Sequence, residues 1–215
     1  MTDECVATTP EDLLTKVSNA SRIVFDLDGT LYDTRDFERP ALAAVVNWLR
    51  STSGQPLHGL LEALWFRRES ERHRTGLFDD LLAEYGLPVS WGRECARRFH
   101  EYPGTELQRV KSLRPQLEAL CADHRRLALV SNGRAELQQR KLAQLGLSKS
   151  FDMCVFCDPR RPAQLKPSTW AWAELAEWRS TMPTVYIGDE PVDSEFAKAG
   201  GASFIQFRFR SRQGP

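Results

Sequence analysis

The stretch RIVFDLDGTLYDT, Arg22 to Thr34, decides the fold of this chain. Its apolar start, with Val24 and Phe25, is typical of a buried strand, and it leads directly into Asp26 and Asp28. A carboxylate at the end of a buried strand is costly to desolvate when it has no partner. The stretch therefore predicts a place in the fold where negative charge is needed.

Four further runs have the composition of strands, and helical patterns lie between the later ones. These runs are RLALVSNG, FDMCVF, TVYIGDE and SFIQF. The segments AELQQRKLAQLG and KPSTWAWAELAEW are long enough for right-handed crossovers between parallel strands. A short leading helix is predicted from Glu11 to about Asn19, capped by Thr9. We expect an α/β fold with a doubly wound parallel sheet.

The interval from about 34 to 105 lacks strand-type runs. It contains helix-like stretches instead, among them RPALAAVVNWLRS and HGLLEALWFRRESERHR. We interpret 34–105 as a helical insertion after the first strand. The main domain would then consist of 1–33 and 106–215.

The composition argues against several partners. The chain has 29 Lys and Arg and 29 Asp and Glu, so its net charge is zero, and we expect neither nucleic acid nor a membrane surface as a partner. The N-terminal stretch MTDECVATTPEDLLTK is acidic where a signal peptide would be basic, which favours a cytoplasmic location. The five cysteines are an odd number, which favours reduced thiols. We expect a monomer or a weak homodimer.

Polar residues follow the strands at the edge where open parallel sheets collect their functional groups. Asp26 and Asp28 follow the first strand, and Asp189 ends the TVYIGDE run. Residues two apart on a strand point to the same side, so these carboxylates would converge if the extended conformation persists to Asp28. Such a cluster needs a counter-charge, and we expect a hard divalent cation with oxygen ligands, Mg²⁺, to supply it. Ser131 and Lys166 could hold a phosphate that the metal also contacts.

The segments DLDGTLYDT, LVSNG, LKP and GDEPVD resemble, in this order, the four motifs of the haloacid dehalogenase (HAD) superfamily. The resemblance extends from Asp26 to Asp193 and implies a Rossmann-like core. The helical insertion resembles a C1 cap, an element that closes over small-molecule substrates. Asp28 points to phosphoryl chemistry, because the dehalogenases of the superfamily lack this aspartate. With a C1 cap and this aspartate, the chain resembles the phosphatase branch of the superfamily, which includes phosphoglycolate phosphatases and β-phosphoglucomutases.

The resemblance also implies roles for individual residues. Asp26 would be the nucleophile that forms an aspartyl-phosphate, and Asp28 the general acid and base. Three groups would bind Mg²⁺: Asp26, the backbone carbonyl of Asp28, and Asp189. Two further residues would not bind the metal directly but would position its ligands: Thr30 and Asp193. The phosphoryl group would be held by Ser131, Asn132 and Lys166.

The leading interpretation is a Mg²⁺-dependent hydrolase of a small-molecule phosphomonoester. A phosphomutase of the β-phosphoglucomutase type is an alternative, because it shares Asp28 and a similar cap. A non-catalytic binding or regulatory protein on the same scaffold is another. Two features depart from the family pattern. KPSTWAW replaces the common KPDP, and Glu190 beside Asp189 leaves open which acidic side chains reach the metal.

In the insertion, Arg68 and Arg72 continue the apolar stripe of LLEALWFRRESERHR at helical spacing. One interpretation is that they bind a second anionic group of the substrate, such as a carboxylate. The other is that the helix runs out into solvent, where the arginines pair with Glu69 and Glu71.

Overall fold

The computed structural model describes residues 5–71, 76–176 and 183–210, and the sheet lies at the centre of its larger unit. Six strands of the described residues are parallel: β1 (Cys5–Ala7), β2 (Arg22–Phe25), β3 (Arg126–Asn132), β4 (Met153–Cys157), β5 (Thr184–Gly188) and β6 (Ser203–Phe207). Their order is β1-β6-β5-β2-β3-β4, so the strand of the RIVF run is central. Phe25 lies opposite both Leu129 of β3 and Ile187 of β5. The predicted parallel α/β fold is confirmed.

Five helices of the described residues belong to the same unit as the sheet. They are α1 (Pro10–Lys16), α6 (Arg114–Ala122), α7 (Ala135–Gln144), α8 (Trp170–Glu174) and α9 (Pro191–Ala199). The predicted cap of α1 is present, because the Thr9 hydroxyl accepts a hydrogen bond from the Asp12 N–H at 3.1 Å. This helix ends at Lys16, earlier than expected.

Aromatic packing supports the sheet on the side of α8 and α9. Trp172 stacks on Phe196 with ring centroids 4.9 Å apart, and its indole N–H donates to the Phe196 carbonyl at 2.8 Å. Gly200 provides the space, since a Cβ there would lie 2.0 Å from the indole ring. Burying each of these side chains contributes about 1.5 to 3 kcal/mol. The Tyr186 ring packs against Phe196 as well, with its centroid 5.2 Å away.

The predicted insertion is helical. Residues Arg35–Gly104 form one compact unit, and the other lies within Met1–Thr34 and Thr105–Pro215. The helices of the smaller unit are α2 (Arg35–Ser53), α3 (Leu60–Ser70), α4 (Leu77–Glu84) and α5 (Gly92–Glu101). Its apolar core includes Leu42, Val46, Leu64 and Cys95. Within the described part of the chain, no helix combines the length and apolar character needed to span a bilayer.

One strand was not predicted. β1 comprises three residues at the edge of the sheet and pairs with β6, with Cys5 opposite Ile205. A strand this short shows too little alternation to be read from sequence. Its partner β6 is an interior strand, because β5 lies on its other side.

Candidate active site

The carboxyl ends of three neighbouring strands bring the predicted residues together. Asp26 directly follows β2, and its N–H donates to the Ile187 carbonyl of β5 at 2.8 Å. Ser131 lies at the end of β3, and Asp189 directly follows β5. All three side chains belong to buried residues. The central strand therefore delivers Asp26 into the middle of a buried polar site.

Three carboxylates converge there. Asp26, Asp189 and Asp193 each offer one oxygen, and these oxygens lie within 4.8 Å of one another. Asp193 belongs to the first turn of α9, where it accepts a hydrogen bond from the Glu190 N–H at 3.1 Å. Glu190 is the N-cap residue of α9 and forms a capping box with Asp193. The capping box at the start of α9 thus fixes the position of the Asp193 carboxylate, and Glu190 serves as its N-cap residue.

The Lys166 ammonium lies between two of these carboxylates. Its Nζ is 2.6 Å from Asp26 Oδ1, 2.6 Å from Asp193 Oδ1 and 3.0 Å from the Tyr186 hydroxyl. The backbone at this point is held by Asn132, whose side-chain oxygen accepts from the Lys166 N–H at 2.9 Å. Asn132 therefore positions the lysine, and the predicted LKP motif does reach the strand ends.

Electrostatics in this cluster follow from burial and close charges. Burial raises the pKa of the Asp26 carboxyl well above its ordinary value; the Lys166 charge opposes this rise, and Asp193 and Asp189 add to it. Burial would lower the pKa of the Lys166 ammonium, but Asp26, Tyr186 and Asp193 outweigh it and raise that pKa well above its ordinary value. The lysine is therefore held in its charged form, and a cation beside Asp26 would favour the ionised carboxylate.

The Asp28 side chain has a different set of partners. The strand ends at Phe25, and the turn at Gly29, with φ +84°, breaks the extended conformation on which convergence depended. The Asp28 carboxylate is instead bound by Lys141, Gln138 and Tyr32. Burial would raise the pKa of Asp28, but the Lys141 charge and these hydrogen bonds outweigh it and hold the pKa below its ordinary value. The structure thus groups Asp193, and not the Asp28 side chain, with Asp26 and Asp189, and the turn directs Asp28 to other partners.

Two predicted hydroxyls have different surroundings. The Ser131 Oγ accepts from the Gln138 side-chain nitrogen at 2.9 Å. The Thr30 hydroxyl is buried and has no hydrogen-bond partner among the described residues. A buried hydroxyl in this state costs about 1 to 3 kcal/mol. A bound ligand could supply the missing partner.

Arg208 is a site residue that the sequence did not reveal. Its Nε lies 2.9 Å from Asp189 Oδ2, and its Nη2 lies 3.3 Å from the Asp189 carbonyl. The segment after β6 carries it there, anchored where the Phe209 N–H donates to the Gly29 carbonyl at 2.7 Å. The alternation FRFR was a usable signal, because in an extended segment Arg208 points to the side away from its buried neighbours Phe207 and Phe209.

The donor set fits a hard divalent cation. Asp26, Asp189 and Asp193 offer carboxylate oxygens, which are the ligands that Mg²⁺ prefers. Gly29 makes room for them, because a Cβ there would lie 2.5 Å from Asp189 Oδ2. A larger residue at that turn would displace the carboxylate. The residues present therefore fit an oxygen-ligated divalent ion at this point.

Of the two predicted arginines of the insertion, Arg68 is described by the structure and Arg72 lies outside the described residues. Arg68 Nη2 is 2.7 Å from Glu38 Oε1, and its guanidinium lies 5.9 Å from the centroid of the Phe99 ring. Glu38 belongs to α2 and is buried. Arg68 thus pairs with a buried carboxylate of α2 inside the helical unit.

Fold and site together define an α/β protein with an acidic centre at the strand ends. The chain belongs to the haloacid dehalogenase-like hydrolases, whose family model matches residues 21–201. The resemblance seen in the four motifs is confirmed.

Similar proteins include two phosphatases and a magnesium-bound hydrolase. A phosphoserine phosphatase from Thermus thermophilus is 28% identical over 148 residues, which are 62% of this chain and 57% of that protein. The chain thus spans little more than half the length of this relative. A phosphoglycolate phosphatase from Pseudomonas savastanoi pv. phaseolicola is 26% identical over 207 residues, 89% of this chain and 71% of that protein. The structure of a candidate HAD-hydrolase, YfnB from Bacillus subtilis, bound to magnesium, has a TM-score of 0.62 at 20% identity, covering 87% of this chain and 86% of that one.

Proposed function

We propose that this protein is a Mg²⁺-dependent phosphatase that hydrolyses a small-molecule phosphomonoester through an aspartyl-phosphate at Asp26. The observation that carries the proposal is the position of Asp26. It is buried at the end of the central strand, 2.6 Å from the Lys166 ammonium and beside Asp189 and Asp193. A nucleophilic carboxylate needs this combination of a neighbouring cation and excluded water. Family membership and the two phosphatase relatives support the same reaction class.

Two residues carry out the two steps. An Asp26 oxygen attacks phosphorus and the bond from phosphorus to the leaving oxygen breaks. Asp28, which must be protonated in the substrate complex although Lys141 favours its ionised form here, gives that oxygen its proton. In the second step, a water oxygen attacks phosphorus, Asp28 takes the proton of that water, and the bond between phosphorus and Asp26 breaks. Asp26 and Asp28 thus return to their initial states, with an alcohol and inorganic phosphate as products.

The remaining residues bind and neutralise the phosphoryl group. Lys166 and Ser131 are proposed to hold its oxygens, and Asn132 fixes the lysine through the hydrogen bond to its N–H. Mg²⁺ would be bound by Asp26, Asp189 and the backbone carbonyl of Asp28. Thr30 and Asp193 would position these ligands without binding the ion directly. When bound, the ion supplies positive charge that lowers the repulsion between phosphate and carboxylates.

The substrate is proposed to carry a second anionic group. Phosphoserine and phosphoglycolate, the substrates named for the two relatives, each have a carboxylate beside the phosphate. Arg68 and Arg72 are the proposed contacts for this group. Since Arg68 is paired with Glu38, it would bind a substrate carboxylate by sharing or exchanging that partner.

Asp26→Asn tests the function, because it removes the attacking charge with almost no change in volume. We expect turnover to fall by several orders of magnitude while the unfolding midpoint stays close to that of the unmodified protein. Asp123→Asn, at an exposed position, is the matched control. More than a few per cent of residual activity in Asp26→Asn would reject the nucleophile. Release of inorganic phosphate in equal amount to the alcohol distinguishes hydrolysis from a phosphomutase reaction.

A further inference from the structure

Three side chains enclose the Asp28 carboxylate. Lys141 Nζ lies 2.7 Å from Oδ1 and 2.9 Å from Oδ2. The Tyr32 hydroxyl donates to Oδ1 at 2.5 Å, and the Gln138 side-chain nitrogen donates to Oδ2 at 2.8 Å. Each carboxylate oxygen thus accepts two hydrogen bonds. This arrangement fixes both the position of the carboxylate and the plane in which its oxygens lie.

The donors are buried, which is unusual for a lysine. Lys141 is 5% exposed and Gln138 is 1% exposed, whereas most lysines and glutamines lie on protein surfaces. Both belong to α7, the crossover helix that follows β3, and they lie one turn apart on the same face as Leu142. A lysine is buried at this cost only where a paired anion offsets its desolvation, and Asp28 is such an anion.

Gln138 connects Asp28 to the end of β3. The same amide nitrogen that donates to Asp28 lies 2.9 Å from Ser131 Oγ. A Cβ at Gly133 would lie 2.7 Å from this nitrogen, so the glycine leaves the room in which the amide lies. One side chain of α7 therefore sets the distance between the proposed acid and base and the proposed phosphate-binding hydroxyl.

We propose that Lys141 and Gln138 are positioning residues that orient Asp28 for proton transfer. The inference rests on the proposed function and adds a requirement for the same reaction, namely that hydrogen-bond donors from α7 orient the Asp28 carboxylate. Proton transfer needs the carboxyl within hydrogen-bond reach of the leaving oxygen, and a displacement of about 1 Å costs about 100-fold in rate. In this scheme neither residue contacts the phosphoryl group or the leaving oxygen, and both act through Asp28. Their contribution is the orientation of Asp28.

The proposal predicts an effect that depends on the leaving group. The constant kcat/KM reports the steps up to formation of the phosphoenzyme, in which Asp28 protonates the leaving oxygen. An alkoxide leaving group needs that proton, whereas p-nitrophenolate departs without it. Loss of the orientation of Asp28 should therefore lower kcat/KM for an alkyl phosphate and spare p-nitrophenyl phosphate. A purely structural defect would lower both.

The experiment compares Lys141→Met with Lys149→Met, the same substitution at an exposed position. Both proteins are assayed with β-glycerophosphate and p-nitrophenyl phosphate in the presence of Mg²⁺. For Lys141→Met we expect kcat/KM to fall about 10- to 100-fold with β-glycerophosphate and less than about threefold with p-nitrophenyl phosphate. For Lys149→Met we expect no change with either.

Gln138→Met is the second variant, because it leaves the charge unchanged and keeps the test decisive if Lys141→Met does not fold. It should show the same selective loss, about three- to tenfold with the alkyl phosphate. Equal losses with both substrates, or no loss with either, in the folded variants would overturn the positioning role while leaving the phosphatase proposal intact. If the unmodified protein hydrolyses neither substrate, the proposed function fails and this inference fails with it.

Discussion

Replacing Gly29 with alanine should separate the stability of the fold from the geometry of the acidic site. Gly29 has φ +84°, and an added Cβ would lie 2.5 Å from Asp189 Oδ2, whereas ordinary contacts begin near 3.4 Å. The Asp189 carboxylate must therefore retreat by roughly 1 Å, a displacement that costs about 100-fold in turnover. The positive φ adds about 1 kcal/mol of backbone strain, and crowding adds about 1 to 3 kcal/mol.

Gly201→Ala is the matched control for this substitution. Gly201 has φ +72° in the same unit, but an added Cβ would meet no atom within 4 Å. It should lose about 1 kcal/mol of unfolding free energy and retain its turnover. Urea unfolding, calorimetric Mg²⁺ binding and turnover of p-nitrophenyl phosphate measure the two effects. If Gly29→Ala bound Mg²⁺ and turned over as Gly201→Ala does, the reasoning about room for Asp189 would be refuted.

Three further outcomes are expected. Chelation should abolish turnover, and Mg²⁺ but not the larger Ca²⁺ should restore it, so full activity after chelation would exclude the metal site. Arg208→Gln should tighten calorimetric Mg²⁺ binding about two- to fivefold, because it frees Asp189 from a half-exposed ion pair worth about 0.2 to 1 kcal/mol. Arg126→Gln is its control, and equal affinities would show that Arg208 does not compete with the ion. Cys154 is exposed to reagents, but partial desolvation raises the pKa of its thiol to about 11. Its labelling by iodoacetamide, followed by mass spectrometry, should therefore be slow near neutral pH and rise about tenfold per pH unit below that pKa; rapid labelling at neutral pH would contradict this.

The sequence was sufficient to predict the parallel sheet and the position of its acidic edge. A strand that enters the core and ends in a carboxylate is a local pattern, and parallel strands deliver their carboxyl ends to one side. Asp26 and Asp189 therefore lie close together, as expected, since each directly follows a strand. Lys166 lies in a loop that is hydrogen-bonded to Asn132 of β3, and its ammonium reaches Asp26. The predictions that succeeded needed only strand boundaries and strand direction.

The partners of Asp28 could not be predicted in the same way. Strand ends do not say how a turn rotates a side chain, and the turn at Gly29 directs Asp28 toward α7. Lys141 and Gln138 resemble exposed helix residues in sequence, although their spacing with Leu142 places them on its buried face. Polar residues that interrupt the apolar face of a crossover helix are thus a usable signal for site residues.

The strand pairing has a consequence for biosynthesis. β1, the first of the described strands to be synthesised, pairs with β6, the last of them, and the backbone hydrogen bond from Phe209 to Gly29 also joins segments that are far apart in sequence. A nascent chain that already contains the site residues still lacks both the β1–β6 pairing and the hydrogen bond from Phe209 to Gly29. These site residues are Asp26, Ser131, Lys166 and Asp189. Pairings this remote in sequence are slow to form. Assembly of the acidic site is therefore expected to await synthesis of β6, and a chain stalled before 203 would contain the motifs without a completed sheet around them.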